Sequence, residues 1–501
     1  MNNGKICVSV CAGTANEMIA NIKRAEEFAD VVEVRFDCLS ADELDNFRSQ
    51  ILNVKFDTPL LATFRSPEQG GTGFATLKER GEFWSTINGS FWAADLEEDV
   101  FGSAPSSAKT LISYHDFEHV PTDLDAIFLR LSGSEADVIK LAVKTPDIVD
   151  SIDVWNLIEK AKESGKQIIP IAMGDAGKWT RILGLAHGAF LTYASLDAGK
   201  ETADGQITAK DLRDVYRVKE LNKDTRGFGV VGDPVWSSVS PYMHNPAFAD
   251  AGVDAVFMPL LVKNLDAFIS RMVRKETREV ELNFGGFSVT MPHKQAILKH
   301  LDAIDPVAEM IGAVNTVKIN DGKLTGYNTD AHGFITPLKA RFGNLRDARV
   351  AVFGAGGAAR AVVYALKSDG ADVSVFVRDP AKAAAFANDL DVKLEQMPTA
   401  DHRPPTGTEI VVNATPIGMN GVNENETLFS ADELLGVKFV YDLVTRSTDT
   451  PLVAEAKKAG IPAVGGIEML IAQGAMQFKI WTGREAPIDL MRSSLLARMN
   501  G

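Results

Sequence analysis

The chain has 501 residues, 45% hydrophobic and 24% charged, with a net charge of −15. That length exceeds what one hydrophobic core organises, so two or three domains are expected. The negative balance disfavours nucleic acid and anionic lipid as partners, and no apolar run is long enough to cross a bilayer, so a soluble cytoplasmic protein acting on small molecules is expected.

The start, "MNNGKICVSVCAG", reads as a first strand and not as a signal peptide. Cys7, Cys11 and Cys38 lack the paired spacing of a metal site. A chain of this size needs no disulfides, so a reducing compartment is expected and no metal is implied.

Through residue 222 apolar β-rich runs alternate with helical stretches. The runs are "KICVSVC", "VVEVRFD", "PLLATFR", "FWAADLE", "TLISYHDF", "VIKLAVK", "QIIPIAMG" and "AFLTYAS". Eight such units predict a parallel (β/α)8 TIM barrel over 1–222. Lys140 sits inside the sixth run, where a closed barrel offers no solvent edge. Charged residues recur near the carboxyl ends of other strands: Glu33, Arg35, Arg65 and His115. Active sites of barrels gather at that end.

A buried lysine is suited to imine formation with a ketone, because desolvation favours its neutral, nucleophilic amine. His115, one strand away, belongs to the pKa class that moves protons near neutral pH. Together they point to elimination or aldol chemistry.

The segments "EVRFD", "TFRSPEQGG", "SYHDF", "VIKLAV" and "GQITAKDL" resemble type I 3-dehydroquinate dehydratase over nearly all of residues 5–217. The resemblance implies an imine between Lys140 and the substrate ketone, His115 as proton shuttle, and loss of water. It further implies that Glu33, Arg35 and Arg65 line the site, that Arg181 grips a carboxylate, and that Met173, Thr202 and Gln206 contact substrate. Gln69 stands where that family usually carries an acid, so an uncharged partner for His115 and a different pH optimum or slower proton step are expected.

After the charged linker "KELNKDTRG" a second α/β unit begins with "FGVVGDPVWSSVSPYMHNPAF". Ser238 and Ser240 alternate toward one side of what reads as an extended segment, where two hydroxyls can hold a carboxylate. Lys294 follows a proline in "SVTMPHK", and Asp330 lies in "GYNTDAHG"; brought together, they can relay a proton to a carbonyl oxygen as hydride reaches its carbon. From 348 the strand "VAVF" runs into Gly354, Ala355, Gly356, Gly357, Ala358 and Ala359 and then a helix, the setting of a dinucleotide fingerprint. At the end of the next strand stand Arg378 and Lys382 instead of a carboxylate, which favours NADP over NAD.

These pieces, with "IGAVNTV", "NATPIGM" and "GIEMLIAQGAMQF", resemble shikimate dehydrogenase across 228–500. The resemblance implies Lys294 and Asp330 as the catalytic pair, Ser238, Ser240, Thr290, Asn315 and Gln473 as substrate contacts, and Asn413, Thr415 and Met469 beside the nicotinamide. Ser237 and Thr445 replace a family histidine and tyrosine. A two-lobed unit is expected: a substrate lobe over 223–330, completed by 466–501, and a Rossmann NADP-binding lobe over 331–465. The implied function is bifunctional, with 3-dehydroquinate dehydrated to 3-dehydroshikimate and this ketone reduced by NADPH to shikimate. A fusion with a quinate dehydrogenase, or a metabolite-sensing regulator without activity, remains the alternative.

Overall fold

The computed structural model describes residues 2–51, 53–73, 75–86, 91–105, 108–397, 403–421 and 423–500. The chain divides into two compact units, Met1–Gly227 with Asp254–Asn283, and Phe228–Val253 with Phe284–Gly501.

In the first unit the eight apolar runs become β1 (Lys5–Val10), β2 (Val31–Arg35), β3 (Leu60–Thr63), β4 (Ala93–Glu97), β5 (Lys109–Asp116), β6 (Val138–Lys144), β7 (Gln167–Met173) and β8 (Leu191–Ser195). All pair parallel, in the order β7-β6-β5-β4-β3-β2-β1-β8. Cys7, Val31, Leu61, Ala93, Leu111, Val138, Ile169 and Leu191, one from each strand, meet in a single buried cluster. Only a sheet curled onto itself brings all eight strands to one interior.

The ladder does not close as the sequence suggests. A short strand, β9 (Ile207–Thr208), pairs with the upper end of β8 at Ala194 and Ser195. It takes the edge that a closed barrel would give to β7. At the lower end of this seam the Phe190 N–H donates to Ile168 O at 2.8 Å, and side-chain packing in the interior cluster completes the closure. The loop that enters β9 carries Thr202 and Gln206 to the barrel's carboxyl end, so the opened seam places the site.

The expectation of unpaired cysteines is corrected. Cys11 and Cys38 form a disulfide with their Cα atoms 5.6 Å apart, while Cys7 is free and buried. Cys11 just follows β1 and Cys38 lies shortly after β2, so parallel neighbours bring together residues that sequence spacing gives no reason to pair.

The second unit holds two sheets. One runs β10 (Arg226–Gly232), then β12 (Gly286–Val289), β14 (Thr316–Asn320), β15 (Lys323–Tyr327) and β13 (Ala303–Ile304), with mixed pairing. The intervening β11 (Ala255–Leu261) falls in the segment grouped with the first unit. The other sheet is wholly parallel, in the order β18 (Lys393–Gln396), β17 (Asp372–Val377), β16 (Arg349–Phe353), β19 (Ile410–Asn413), β20 (Phe439–Asp442) and β21 (Ala463–Val464). The helix Gly466–Thr482 returns to the first of these sheets, where Trp481 Nε1 donates to Val317 O at 3.0 Å and Gln477 Nε2 to Thr316 Oγ1 at 3.1 Å. No described helix is long and apolar enough to cross a membrane.

Gly205, in the loop entering β9, has φ +75°, and a Cβ there would come within 2.3 Å of Gly174 O. Gly205→Ala should therefore cost about 1–3 kcal/mol, read as a lower urea midpoint for the first unit.

Candidate active sites

All nine residues expected around the first site line one pocket at the carboxyl end of the barrel, together with Gln69, Phe117 and Tyr193. The alternation of β6 points Lys140 inward, with Ser113 and Ile169 beside it in register. Its Nζ donates to Asp95 Oδ2 at 2.8 Å, stands 3.9 Å from Glu33 Oε1 and lies 4.3 Å from the centre of the Tyr193 ring. The expectation of a lysine set in apolar surroundings needs correction. The amine is paired with a buried carboxylate and must be released from it to react.

Asp95, absent from the sequence reading, is the centre of this charge system. It is 1% exposed and also accepts from Arg65 Nη2 at 2.5 Å. Burial alone would raise its pKa, but the charges of Arg65, Lys140 and His115 outweigh that and hold the carboxyl well below the usual range. Burial likewise opposes the Arg65 guanidinium, and Asp95, Glu97 and Glu33 reverse the effect and raise its pKa. Arg65 Nη1 donates to Ser113 Oγ at 2.6 Å and lies 3.4 Å from Glu97 Oε1. Glu33 accepts from Ser9 Oγ, and from Thr63 Oγ1 at 2.8 Å.

Arg35 is held by a bidentate pair with Asp37 at 2.8 and 2.7 Å. Asp37 in turn accepts from the backbone N–H groups of Arg65 and Thr72, at 3.3 and 3.1 Å, and so clamps both ends of the loop that carries Gln69. Gln69 Oε1 accepts from the backbone N–H of His115 at 2.7 Å and lies 3.2 Å from its Nδ1. An amide oxygen only accepts, so Nδ1 carries the proton and Nε2 is the free basic nitrogen. Burial, then the positive charges of Arg65 and Lys140, push the His115 pKa well below its ordinary value.

On the far wall, Arg181 is 3% exposed, with its Nη atoms on the carbonyls of Tyr193 and Asp204 at 3.5 and 3.2 Å. Burial pulls its pKa down to about 10. A desolvated guanidinium bonded to carbonyls alone is prepared for an anion. Thr202 and Gln206 fasten to each other, Thr202 N–H to Gln206 Oε1 at 2.8 Å and Gln206 Nε2 to Thr202 Oγ1 at 3.1 Å. Met173 is buried beneath them at the end of β7.

In the second unit Lys294 Nζ donates to Asp330 Oδ2 at 2.5 Å, and Asn315 Nδ2 donates to Asp330 Oδ1 at 2.8 Å. Asn315 also bonds Thr329, which donates to Gln473 Oε1 at 3.4 Å. Four of the expected residues thus form one network. Thr290 lies just past β12, its N–H donating to Val231 O at 2.9 Å. The serine segment is a turn and not extended. The Ser240 N–H donates to Ser238 Oγ at 3.3 Å as the helix Ser240–Asp250 begins, because a short hydroxyl side chain competes for nearby backbone donors. Both serines remain half-buried, while Ser237 is exposed.

The nucleotide fingerprint has the predicted form, β16 turning into the helix Gly357–Ser368. Gly354 has φ +110°, and a Cβ there would come within 2.7 Å of Ala414 O, whereas one on Gly356 meets nothing within 4 Å. The turn therefore leaves open space at a helix N-terminus, which fits a pyrophosphate. A Cβ on Gly357 would approach the Lys294 side chain at 3.3 Å, so Lys294 stands beside this turn. Asn413 is fully buried and bonded to Asp442 and Thr415, fixing the floor. Arg378 is exposed past β17, and Lys382 lies 3.5 Å from Asp379, which leaves Arg378 as the unpaired cation of the two. Met469 lies in the first turn of the helix Gly466–Thr482, and Thr445 is half-buried.

Residues 6–223 match the family of type I 3-dehydroquinases, 230–317 the shikimate dehydrogenase substrate binding domain, and 466–496 the shikimate 5'-dehydrogenase C-terminal domain. The bifunctional 3-dehydroquinate dehydratase/shikimate dehydrogenase of Arabidopsis thaliana chloroplasts is 33% identical over 98% of this chain and 84% of its own. The chain belongs to this bifunctional family. The NADP(+) shikimate dehydrogenase of Methanocaldococcus jannaschii is 39% identical over 56% of this chain and 99% of its own. A crystal structure of shikimate dehydrogenase in complex with NADP+ superposes with a TM-score of 0.51 at 38% identity, covering 56% of this chain and 97% of that one.

Within the bifunctional chain Asp95 holds two buried cations. Asp95→Asn leaves Arg65 and Lys140 short of a counter-charge and should lower unfolding free energy by about 3–5 kcal/mol at neutral pH. The carboxyl has a depressed folded pKa, so its contribution is present above the ordinary Asp range and lost as pH falls through the folded value. Urea titrations at pH 7 and in strong acid should show the gap between wild type and variant closing in acid.

Proposed function

We propose that this chain performs two consecutive reactions: dehydration of 3-dehydroquinate to 3-dehydroshikimate through an imine on Lys140, and NADPH-dependent reduction of that ketone to shikimate by Lys294 and Asp330. The observation that carries the reading is the convergence of the barrel residues on Lys140 in one pocket, with the Lys294–Asp330 pair next to a nucleotide turn. We assign residues 1–222 to the dehydratase, 223–330 with 466–501 to the substrate lobe, and 331–465 to the nucleotide lobe.

In the barrel, an ammonium and a ketone give a protonated imine and water, both water protons coming from nitrogen. Arg181 holds the substrate carboxylate and so orients the ketone toward Nζ. The positive imine acidifies the neighbouring carbon. Nε2 of His115 takes that proton and returns it to the departing hydroxyl, and hydrolysis then frees product and restores Lys140. Asp95 and Glu33 flank the nitrogen and stabilise its positive charge before and during imine formation.

In the second unit Ser238, Ser240, Thr290 and Gln473 bind the carboxylate and hydroxyls of the ketone. The Gly354–Ala359 turn would hold the pyrophosphate of NADPH and Arg378 its 2′-phosphate, and the cofactor would supply hydride there. Lys294 donates a proton to the carbonyl oxygen, and Asp330, fixed by Asn315, keeps the ammonium on line. Both substrates are small soluble carboxylates, which suits a cytoplasmic enzyme.

The test supplies 3-dehydroquinate with and without NADPH. Without cofactor the conjugated enone should accumulate, and with cofactor it should be consumed as NADPH oxidises. Lys140→Ala should abolish the first signal and leave reduction of added 3-dehydroshikimate intact; Lys294→Ala should do the reverse. Enone that forms but never draws on NADPH would refute the second assignment.

The proton-shuttle role also predicts a pH profile. With its folded pKa depressed, His115 is neutral and basic at pH 7 and remains so below the ordinary histidine value of about 6.5. The acid limb of dehydratase kcat/KM should therefore lie below that value, and Gln69→Glu, which adds a negative charge beside Nδ1, should move it upward.

A further inference from the structure

Tyr193 enters the barrel interior from β8 and is 3% exposed. Its hydroxyl has no hydrogen-bond partner among the described residues, although the ring lines the dehydratase pocket and lies 4.3 Å from Lys140 Nζ. A buried unpaired hydroxyl is costly, and folded proteins rarely keep one without a use. Phenylalanine would fill the same space without that cost.

Three hydroxyls around the lysine and its carboxylates are already committed as donors. Ser9 and Thr63 donate to Glu33, and Ser113 donates to Leu96 O at 3.2 Å. Asp95 and Glu33 act as acceptors in the hydrogen bonds they make here. A ketone oxygen next to Nζ gains negative character as nitrogen attacks carbon, and it needs a donor. Among the described residues Tyr193 and Ser195 both carry buried hydroxyls without a partner on β8, and of the two only Tyr193 lines the pocket, with Lys140 Nζ over its ring. Burial, followed by the charges of Glu33, Cys7 and Asp95, pushes the phenol well above its ordinary pKa, so the O–H keeps its proton across the working range.

We infer that Tyr193 is a further catalytic residue of the dehydratase site, its hydroxyl donating a hydrogen bond to the substrate ketone oxygen as Lys140 adds to the carbon, while its ring face supports the cationic nitrogen. The inference rests on the imine reading above. As the carbon–nitrogen bond forms, the carbonyl π pair moves to oxygen. As the carbinolamine collapses, the carbon–oxygen bond breaks, the nitrogen lone pair forms the second carbon–nitrogen bond, and oxygen leaves as water with two protons that began on the ammonium. Tyr193 holds the oxygen through both steps and returns unchanged. Its ring contribution survives in a phenylalanine variant, which separates the two roles.

Tyr193→Phe removes the hydroxyl alone. Dehydratase kcat/KM should fall about tenfold, carried by slower accumulation of borohydride-trapped Lys140 adduct in a single turnover. Reduction of 3-dehydroshikimate by the same chain should be unchanged, which controls for folding. The thermal midpoint should hold or rise, because an unpaired buried hydroxyl has been removed. Full dehydratase activity in Tyr193→Phe, or a loss of activity with a lower midpoint and normal adduct formation, would overturn the assignment. A wild-type chain that neither dehydrates 3-dehydroquinate nor forms the adduct would instead overturn the function on which it rests.

Discussion

The first site depends on one buried carboxylate shared by two cations. Asp95 Oδ2 accepts from both Arg65 and Lys140, at 2.5 and 2.8 Å, in the barrel interior. Neither cation could stay at that depth alone, because the desolvation penalty of an unpaired charge amounts to several kcal/mol. The shared carboxylate therefore permits a reactive lysine inside a packed core. It also sets a condition on the chemistry: the imine retains the positive charge, so Asp95 keeps a cationic partner through the covalent steps, and no buried negative charge is stranded.

The shell around that centre is layered by function. Asp37 fixes Arg35 and clamps the loop of Gln69; Gln69 fixes the tautomer of His115. Phe117 lies parallel to the His115 imidazole with ring centres 6.0 Å apart, and Gly70 leaves the space for it, since a Cβ there would meet Phe117 at 2.4 Å. The uncharged Gln69 has a direct electrostatic consequence. Lys140 and Arg65 already crowd the imidazole with positive charge, and with no charge on Gln69 the compensation for a proton on the ring comes chiefly from Asp95. Such a ring works better as a base than as a resting acid.

Much of this was legible in the sequence because strand and barrel geometry have short periods. Eight β-branched runs at regular spacing became eight strands, and the polar residues that interrupted them near their ends converge at one mouth. What escaped had no local signal. Asp95 lies inside "FWAADLE", where one acid in an apolar run could have prompted the question asked of Lys140, but its partners are on β3 and β6 and only the curl of the sheet joins them. Tyr193 reads as an ordinary β-former in "LTYAS". The Cys11–Cys38 pair, 27 residues apart, is brought together by parallel neighbours. The opened seam follows from β9, two residues long and below what a sequence pattern can register. In the second half the fingerprint glycines, Lys294 and Asp330 were all legible, because turn chemistry and strand-to-helix transitions leave marks at fixed offsets. The Ser238–Ser240 turn was misread as extended since nothing in "SSVS" distinguishes the two backbones.

The two sites handle their unfilled polar groups in opposite ways. In the second unit Asn315, Thr329, Asp330, Lys294 and Gln473 bond one another, so the constellation is assembled and satisfied before a ligand arrives. In the barrel, Arg181 Nε, Tyr193 Oη and Asp95 Oδ1 are buried with no hydrogen-bond partner among the described residues. Each such atom costs about 1–3 kcal/mol. The difference matches the chemistry each has to do. Hydride transfer needs a proton donor held rigidly at one oxygen, which a closed network provides. Covalent catalysis passes through several charge distributions on the substrate, and groups left without protein partners can exchange bonds with each of them in turn. The barrel gives up stability in its free state to make those bonds with the reacting molecule instead of with itself.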